Sequence, residues 1–228
     1  SNFNPDANVD DGSCCIELWG ECYNIQSTYQ LDLSNSQLTG EIPSEIGNLT
    51  NLTYLNLKTN QLTGEIPSEI GNLTSLTFLD LRENELSGHI PSEMGNLINL
   101  NHLILYHNQL SGQVPLQIGD MLSLIYLNLE LNQLTEEIPT EIGNLSNLTF
   151  ISLGHNQLVG EIPSEIENLV ELEYLYLNDN QLIGEIPSEL GGLTNLKDLV
   201  LWGNELSGNI PTELENLNVL LVLDRKST

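Results

Sequence analysis

Basic residues are scarce in this sequence. Its 228 residues include 5 Lys and Arg against 32 Asp and Glu, which gives a formal net charge of -27. A protein that neutralises nucleic-acid phosphates needs a basic face, and so few basic residues can hardly form one. The same shortage disfavours an anionic membrane surface as a partner. The composition therefore predicts a protein with no nucleic-acid partner.

Long apolar runs are also missing. No stretch reaches the roughly 18 consecutive apolar residues of a membrane-spanning helix, so we expect no membrane insertion. The first residues, Ser1 to Gly12, are polar and acidic where a signal peptide would be basic and then apolar, and we expect the chain as it stands to lack a targeting segment. Hydrophobic residues still make up 39% of the chain, which predicts a soluble, folded protein rather than an acidic disordered tail.

Cysteine is restricted to one end of the chain. Cys14, Cys15 and Cys22 all lie in its first tenth, and this clustering indicates a terminal staple. One pair can form within the chain. The remaining thiol suggests, in a secreted protein, a partner outside this segment.

Residue patterns typical of catalysis are absent from the sequence. The four histidines, His89, His102, His107 and His155, sit at scattered places, and no Ser or Cys has an evident base and orienting partner. There is no phosphate-binding glycine loop and no zinc-type cysteine spacing. Glutamate pairs are so abundant that no single pair indicates glycoside hydrolysis. We therefore expect a protein that is not an enzyme.

What the sequence has in abundance is repetition. A period of 24 residues runs without insertion or deletion from Ser27 to Asn218, in eight copies that we number as coils 1 to 8. A fixed period of this length predicts a solenoid, whose coils bury their apolar sides by stacking on one another. The domain interpretation is an N-terminal cysteine-containing cap in residues 1–26, the eight repeats in 27–218, and a partial ninth repeat in 219–228.

The repeat contains signals for a strand and for a short helix. Coil 2, residues 51–74, reads NLTYLNLKTNQLTGEIPSEIGNLT. The alternation around Asn56 predicts a short strand, and stacked copies of that strand predict a parallel sheet. Gly64 and Pro67 are expected to end regular structure, which leaves residues 67–73 for one or two helical turns on the far side.

An asparagine column follows the predicted strands. Asparagine recurs one turn after each strand from coil 2 onwards, at Asn60, Asn84, Asn108, Asn132, Asn156, Asn180 and Asn204. The coil must bend inward at this point, which leaves backbone groups to satisfy. Because the asparagine side chain both donates and accepts hydrogen bonds, we expect it to satisfy them.

These residues resemble a known family. The pattern LxxLxLxxNxLxGxIPxxIGxL, which residues 52–73 follow, resembles the plant-type leucine-rich repeat over about nine tenths of the chain. The resemblance implies an α/β repeat fold: a right-handed leucine-rich-repeat solenoid, with a parallel sheet on the concave face and short 3-10, helical or irregular segments on the convex face. The departures are Glu136, Glu167 and Glu215, which replace glycines of the pattern.

The N-terminal segment carries two further resemblances. Cys14-Cys15, Trp19-Gly20 and Cys22 resemble the cap that precedes such repeats, which implies a disulfide between Cys15 and Cys22 and a tryptophan that covers the first coil. Upstream, NFNPDANVDDGSC is similar to an Asp/Asn-rich cysteine module of secreted proteins of marine bacteria. This similarity implies a partner for Cys14 upstream of residue 1, and an extracellular or cell-surface location.

Two interpretations remain open for the acidic residues of that module. Asp6, Asn8 and Asp10 place oxygen side chains at alternate positions, as at the start of a calcium loop. However, Gly12 comes one place later than in the EF-hand pattern, and no bidentate glutamate follows at the right distance. The segment is therefore either a calcium site or an Asx-rich turn. We expect no other cofactor.

Aromatic residues concentrate on the predicted strands. The fourth position of successive repeats forms a column, here called the aromatic column, of Tyr54, Phe78, His102, Tyr126, Phe150 and Tyr174. Such a column provides contact area at low entropic cost, or it stabilises the sheet by cross-strand packing. Tyr106, His107, Tyr176 and Trp202 are less regular, and we expect them to contact a ligand together with the basic Lys58 and Arg82.

Glutamates form two columns on the flank of the coils. They comprise Glu41, Glu65, Glu137, Glu161 and Glu185 in one column and Glu45, Glu69, Glu93, Glu141, Glu165, Glu189 and Glu213 in the other. Like charges at this spacing repel one another, so a solvated flank that keeps the protein soluble is the simpler interpretation. Weak binding of divalent cations along the columns is the alternative.

The leading hypothesis is a secreted or cell-surface binding module, whose concave sheet recognises a protein or a glycan. The alternative is a structural or adhesive solenoid that acts as a spacer or self-assembles, which the uniformity of the repeats favours. Variation at the strand positions favours the binding module. Ice binding by a regular Thr array is disfavoured because Ile98, Val159 and Ile183 interrupt it.

Overall fold

A computed structural model describes residues 15–217 and, for the backbone, the strand Val222–Asp224. The expected calcium ligands Asp6, Asn8 and Asp10 lie outside the described residues. The same is true of Cys14.

Every coil contributes one short strand to a parallel sheet, as the alternation around Asn56 predicts. Within the described residues the sheet has nine strands, and their order in the sheet is their order in the chain. The register matches residues that are one repeat apart, for example Leu55 with Leu79. The strands are Gln30–Asp32, Tyr54–Asn56, Phe78–Asp80, His102–Ile104, Tyr126–Asn128, Phe150–Ser152, Tyr174–Tyr176, Asp198–Val200 and Val222–Asp224.

The opposite side of each coil is a single short 3-10 helix. In coil 2, Pro67 precedes the helix with φ -66°, the angle that its ring fixes, and the N–H of Leu73 closes the last turn on the carbonyl of Ile70. The helices are Ser44–Asn48, Ser68–Asn72, Ser92–Asn96, Leu116–Asp120, Thr140–Asn144, Ser164–Asn168, Ser188–Gly192 and Thr212–Asn216. The fold is therefore the expected leucine-rich-repeat solenoid, with the sheet on its concave face.

A second row of strands lies between the main sheet and the helices, where the sequence predicts an end to regular structure. Neighbouring coils pair here in parallel, and the N–H of Thr63 donates to the carbonyl of Gly40 at 2.8 Å. The strands are Thr39–Gly40, Gln61–Leu62, Ser87–His89, Gln109–Gly112 and Gln133–Leu134. In coil 2 the side strand Gln61–Leu62 ends before Gly64, as expected, but the side strands themselves were not predicted. Gly88, with φ 74°, shows how glycine turns the coil and still pairs with the next coil.

The interior is a leucine and isoleucine ladder bridged by the asparagine column. Leu55, Leu62 and Ile70 are fully buried. The Nδ2 atom of Asn84 donates to the carbonyl of Leu57 in the preceding coil and to that of Leu81 in its own coil, both at 3.0 Å. The asparagine therefore satisfies backbone groups of two coils at once, which confirms the role expected from its donor and acceptor atoms.

An antiparallel hairpin covers the first coil. Its strands are Cys15–Leu18 and Glu21–Asn24, and a disulfide joins Cys15 to Cys22. Half-buried Trp19 packs against the core that the coils form. Apart from this hairpin the described residues follow one repeating course, and they contain no helix with the length and hydrophobicity that a membrane crossing requires.

Candidate ligand-binding face

The concave face displays the fourth, sixth and eighth positions of each repeat. In coil 2 the strand buries Leu55 and Leu57, so the alternating side chains of Tyr54, Asn56 and Lys58 point away from the core. Because the register shifts by one whole repeat per strand, each of these positions becomes a straight column across the sheet. The concave face is thus a set of parallel columns, in which successive residues of one column are about 4.8 Å apart.

The aromatic column is a continuous row of half-buried rings that contains two closely stacked pairs. The Tyr54 and Phe78 ring centroids are 4.6 Å apart, and the planes are inclined by 8°. Tyr126 and Phe150 stack in the same way at 4.2 Å and 8°. His102 links the two pairs, with centroids 5.7 Å from Phe78 and 5.9 Å from Tyr126. Since each paired ring covers the face of its neighbour, the column presents ring edges to solvent.

Tyr174 ends the aromatic column in a different environment. Its centroid is 6.0 Å from that of Phe150, and the planes are tilted by 43°. Lys197 lies with Nζ 5.6 Å from the centroid of the Tyr174 ring and 2.6 Å from Oε2 of Glu173. The hydrogen bond to Glu173 raises the pKa of the Lys197 ammonium. This side of the sheet therefore already holds one cation over an aromatic ring.

The eighth-position column begins with the two expected basic residues. Lys58 and Arg82 occupy it in coils 2 and 3, both half-buried. Nε of Arg82 lies 3.4 Å from Oδ2 of Asp80, which is buried in the sheet. Burial raises the pKa of Asp80, although the Arg82 backbone N–H and the charges of Arg82 and Lys58 act in the opposite direction. Among the described carboxylates, none forms an ion pair with Lys58.

Tyr106 continues that column in coil 4, and His107 follows it. Their ring centroids are 5.7 Å apart with planes tilted by 49°, so Tyr106 is not stacked as the aromatic column is. His107 is exposed and has φ 57°, in the left-handed region. The two rings project at the edge of the sheet where the coil turns away.

The C-terminal coils carry a polar cluster that the sequence did not single out. Nδ1 of His155 lies 3.0 Å from Oδ2 of Asp179, and Nε2 lies 3.2 Å from Nδ2 of Asn178. The indole of Trp202 meets the His155 ring at 6.0 Å and 78°. Gly154 makes room for this cluster, because a Cβ there would lie 2.8 Å from Oδ1 of Asn178.

Two further carboxylates are held in place beside this cluster. The hydroxyl of Ser152 donates to Oε2 of Glu130 at 2.9 Å, and the phenol of Tyr176 donates to Oδ2 of Asp198 at 3.0 Å. Burial, followed by the hydrogen bond to Asp198 and its negative charge, raises the pKa of Tyr176 to about 12. The phenol therefore stays protonated and remains a donor at neutral pH.

The residues that sequence reasoning missed share repeat positions with residues that it chose. Glu130 stands at the eighth position like Lys58, and Asp198 stands at the fourth like Tyr174. His155 and Asp179 stand at the ninth position like His107. The acidic and polar residues at the fourth, eighth and ninth positions of coils 5 to 8 could therefore have been found from the repeat pattern, together with the aromatic and basic ones.

No group of three His, Cys, Asp or Glu residues that could hold a metal ion occurs in residues 15–217. The glutamate columns of the flank do not converge into such a group there. The concave face presents aromatic ring edges, carboxylates held by hydrogen bonds and three basic side chains.

Comparison with known proteins identifies the repeat. A family model described as a leucine-rich repeat region matches residues 13–130 and 108–227. No curated protein matches the chain.

Solved structures with the same repeat come from plants and from a bacterium. The ectodomain of the Arabidopsis thaliana membrane receptor kinase GASSHO1/SCHENGEN3, solved with CASPARIAN STRIP INTEGRITY FACTOR 2, is 39% identical over 84% of this chain, with a TM-score of 0.82. The Arabidopsis receptor kinase HAESA, solved with the peptide hormone IDA and the co-receptor SERK1, is 37% identical over 86% of this chain, with a TM-score of 0.80. A Leptospira interrogans leucine-rich repeat protein is 37% identical over 84% of this chain, with a TM-score of 0.64. This chain spans 23%, 34% and 53% of those three chains, respectively.

Proposed function

Because the chain belongs to the leucine-rich repeat family, we propose that it is a non-enzymatic recognition module, extracellular or displayed at a cell surface, which binds an extended protein segment or peptide across its concave face. The observation that carries this proposal is the concentration of aromatic rings and oriented polar groups on that one face of the sheet. The opposite flank carries the repeated glutamates instead.

The geometry of the aromatic column favours a protein segment over a glycan. Sugars bind aromatic residues through the flat face of a ring, but the Tyr54 and Phe78 faces are turned to each other at 4.6 Å. Tyr126 and Phe150 cover each other likewise. What remains are ring edges and phenolic hydroxyls, which suit the side chains and amide groups of a peptide.

The neighbours support a peptide ligand. HAESA was solved with a peptide hormone, and the chain resembles it over 86% of its own length. This chain spans 34% of that receptor chain, so the partner and signalling role of the receptor are not carried over. The similarity supports a peptide as the class of ligand that binds this sheet.

One observation favours a second function, that of a self-associating solenoid. Ile98 and Leu122, at the last position of coils 3 and 4, are 55% and 57% exposed. Most other coils have a polar residue there, such as Thr50 and Thr74. Two adjacent apolar side chains on a flank are a small surface on which a second copy of the chain could pack.

A peptide display experiment tests the proposed recognition function. A library of random 12-residue peptides is selected on the immobilised protein, and the enriched peptides are assayed against a Tyr106→Ala/Trp202→Ala variant. We expect binding to weaken at least tenfold, because large aromatic anchors carry much of the energy of an interface. A folding check by circular dichroism accompanies the variant. Failure to enrich any peptide over a blank surface, or equal binding by the folded variant, would contradict the proposal.

A further inference from the structure

We infer that the ligand of the concave face is a basic peptide, whose cationic side chains lie over coils 5 to 8 between Glu130 and Asp198. This inference rests on the proposed peptide-binding function and specifies the chemistry of the ligand. It follows from the distribution of charge along the sheet and from the ring of Trp202, which has no parallel stacking partner among the described residues.

Charge is distributed unevenly along the concave face. Coils 5 to 8 present four carboxylates, Glu130, Glu173, Asp179 and Asp198, and one cation, Lys197. Lys197 is already paired with Glu173 at 2.6 Å. Asp179 is paired with the ring of His155 at 3.0 Å, so Glu130 and Asp198 remain without a Lys, Arg or His partner in the described residues. A ligand that crosses these coils is favoured if it brings positive charge.

Those carboxylates are oriented before any ligand arrives. Ser152 holds Glu130, and Tyr176 holds Asp198, each through one hydrogen bond. A carboxylate has about four lone-pair sites, so each of these groups keeps acceptor capacity for a guanidinium or an ammonium. Orientation in the free protein lowers the entropic cost of forming the contact.

Aromatic rings of the concave face lie in the same coils as these carboxylates. In the described residues no ring is stacked parallel to Trp202, which meets His155 at 78°. Tyr176 is tilted by 58° to Phe150 but stacks on Tyr174, with centroids 6.4 Å apart and planes inclined by 25°. Among these rings it is Trp202 that can receive a cation over a face, as Tyr174 receives Lys197 at 5.6 Å.

The N-terminal coils differ and would limit where a cation binds. Lys58 and Arg82 project from coils 2 and 3, and Asp80, which pairs with Arg82, is 1% exposed. Glu83 accepts a hydrogen bond from the hydroxyl of Thr59 at the edge of the sheet. A basic side chain placed over these coils meets two cations first, so the peptide is directed to the other half of the face.

The spacing of the coils sets the spacing of the basic residues. Glu130, at the eighth position of coil 5, and Asp198, at the fourth position of coil 8, are three coil steps apart across the sheet, about 14 Å, and four residues apart along the strands, about 13 Å. The two backbone positions are therefore about 19 Å apart, and an extended peptide at about 3.3 Å per residue spans this distance with about six residues. Two basic residues about six positions apart fit both carboxylates.

The test combines the selected peptides with two charge-matched variants. Glu130→Gln/Asp198→Asn removes two charges from the face but keeps the acceptors for Ser152 and Tyr176. Glu141→Gln/Glu213→Gln removes two charges from the 3-10 helices of the same coils, 5 and 8. The probes are the enriched 12-residue peptides, measured by fluorescence anisotropy at low and at physiological salt.

We expect the enriched peptides to contain more Lys and Arg than the starting library, with pairs about six residues apart. Their affinity should fall about tenfold for the concave variant and by less than twofold for the convex one, and the difference should shrink at higher salt. Enriched peptides without a basic excess, or basic peptides that bind both variants equally well, would overturn this inference and leave peptide recognition standing. Absence of any enrichment would overturn the proposed function itself.

Discussion

The Oδ1 atom of Asn84 accepts a hydrogen bond from the backbone N–H of Leu62, a residue of the preceding coil, at 3.1 Å. Its Nδ2 atom donates to Leu57 of that coil and to Leu81 of its own. Nδ2 also donates to the carbonyl of Arg82 at 3.3 Å, so one side chain bonds four backbone groups in two coils.

Replacing Asn84 by alanine should destabilise the protein by about 3 kcal/mol, because each buried polar group left without a partner costs about 1–3 kcal/mol. Urea unfolding followed by circular dichroism measures the change. Asn96→Ala is the matched control: this asparagine is exposed on the helix side of coil 3, and its loss should cost less than about 0.5 kcal/mol. Similar losses for the two variants would show that the column does not bridge the coils energetically.

Asp80→Asn should stabilise the protein at neutral pH. Burial raises the pKa of Asp80 above its ordinary value of 3.8, so the folded state holds the proton more tightly than the unfolded state. Stability therefore falls as the pH rises from about 3.8 through the folded-state pKa, and the asparagine variant lacks this loss. Unfolding measured from pH 3 to pH 7 should show the advantage of the variant growing with pH.

Asp32 provides the control for that experiment, since it occupies the same repeat position in coil 1. Hydrogen bonds from Ser34 lower its pKa, so its contribution is present above pH 3.8 and is lost as the pH falls through the folded-state pKa. Asp32→Asn should therefore have the opposite sign at neutral pH. Equal effects of the two substitutions would contradict the role of burial.

Leu131→Asn should stabilise the protein by roughly 0.5–1 kcal/mol. Leu131 has φ 55° and is partly exposed, and a leucine in the left-handed region is strained where asparagine is tolerated. The reciprocal change, Asn35→Leu at φ 56°, should destabilise by a similar amount. Thermal unfolding of the pair tests the argument, which fails if both changes have the same sign.

The recognition proposal predicts a monomer in concentrated solution. Light scattering at increasing protein concentration measures this directly. If larger species form and disappear in an Ile98→Thr/Leu122→Thr variant, the self-associating solenoid becomes the better explanation. The last position of coils 1 and 2 is already threonine, Thr50 and Thr74, so the variant should fold normally.

Much of the coil follows from the sequence because each coil has the same chemistry. The leucine at Leu55 and the asparagine at Asn84 recur with the period, and stacking is the arrangement that buries the first and satisfies the second. The side strand Ser87–His89 was missed because it lies in the part of the repeat that contains glycine and proline, which are uncommon within strands, although its backbone pairs with the next coil. The positions of glycine and proline in the sequence do not indicate this pairing between coils.

The candidate face was predicted only in part. The positions of Tyr54 and Lys58 follow from alternation along a strand. The cluster of His155, Asn178 and Asp179 depends on the space above Gly154 and on rotamers chosen across coils, neither of which a repeat pattern records. The sequence therefore indicates which surface to study, while the contacts within that surface need the structure.

The asparagine column also determines how the molecule should come apart under tension. Because each of these side chains ties its coil to the one before it, a coil that peels away exposes unsatisfied groups on its neighbour and weakens it. Rupture should then travel as a front in 24-residue steps, with each step releasing one repeat. At the N-terminal end, the disulfide between Cys15 and Cys22 keeps the hairpin that covers the first coil closed, so tension cannot extend the chain between these two residues.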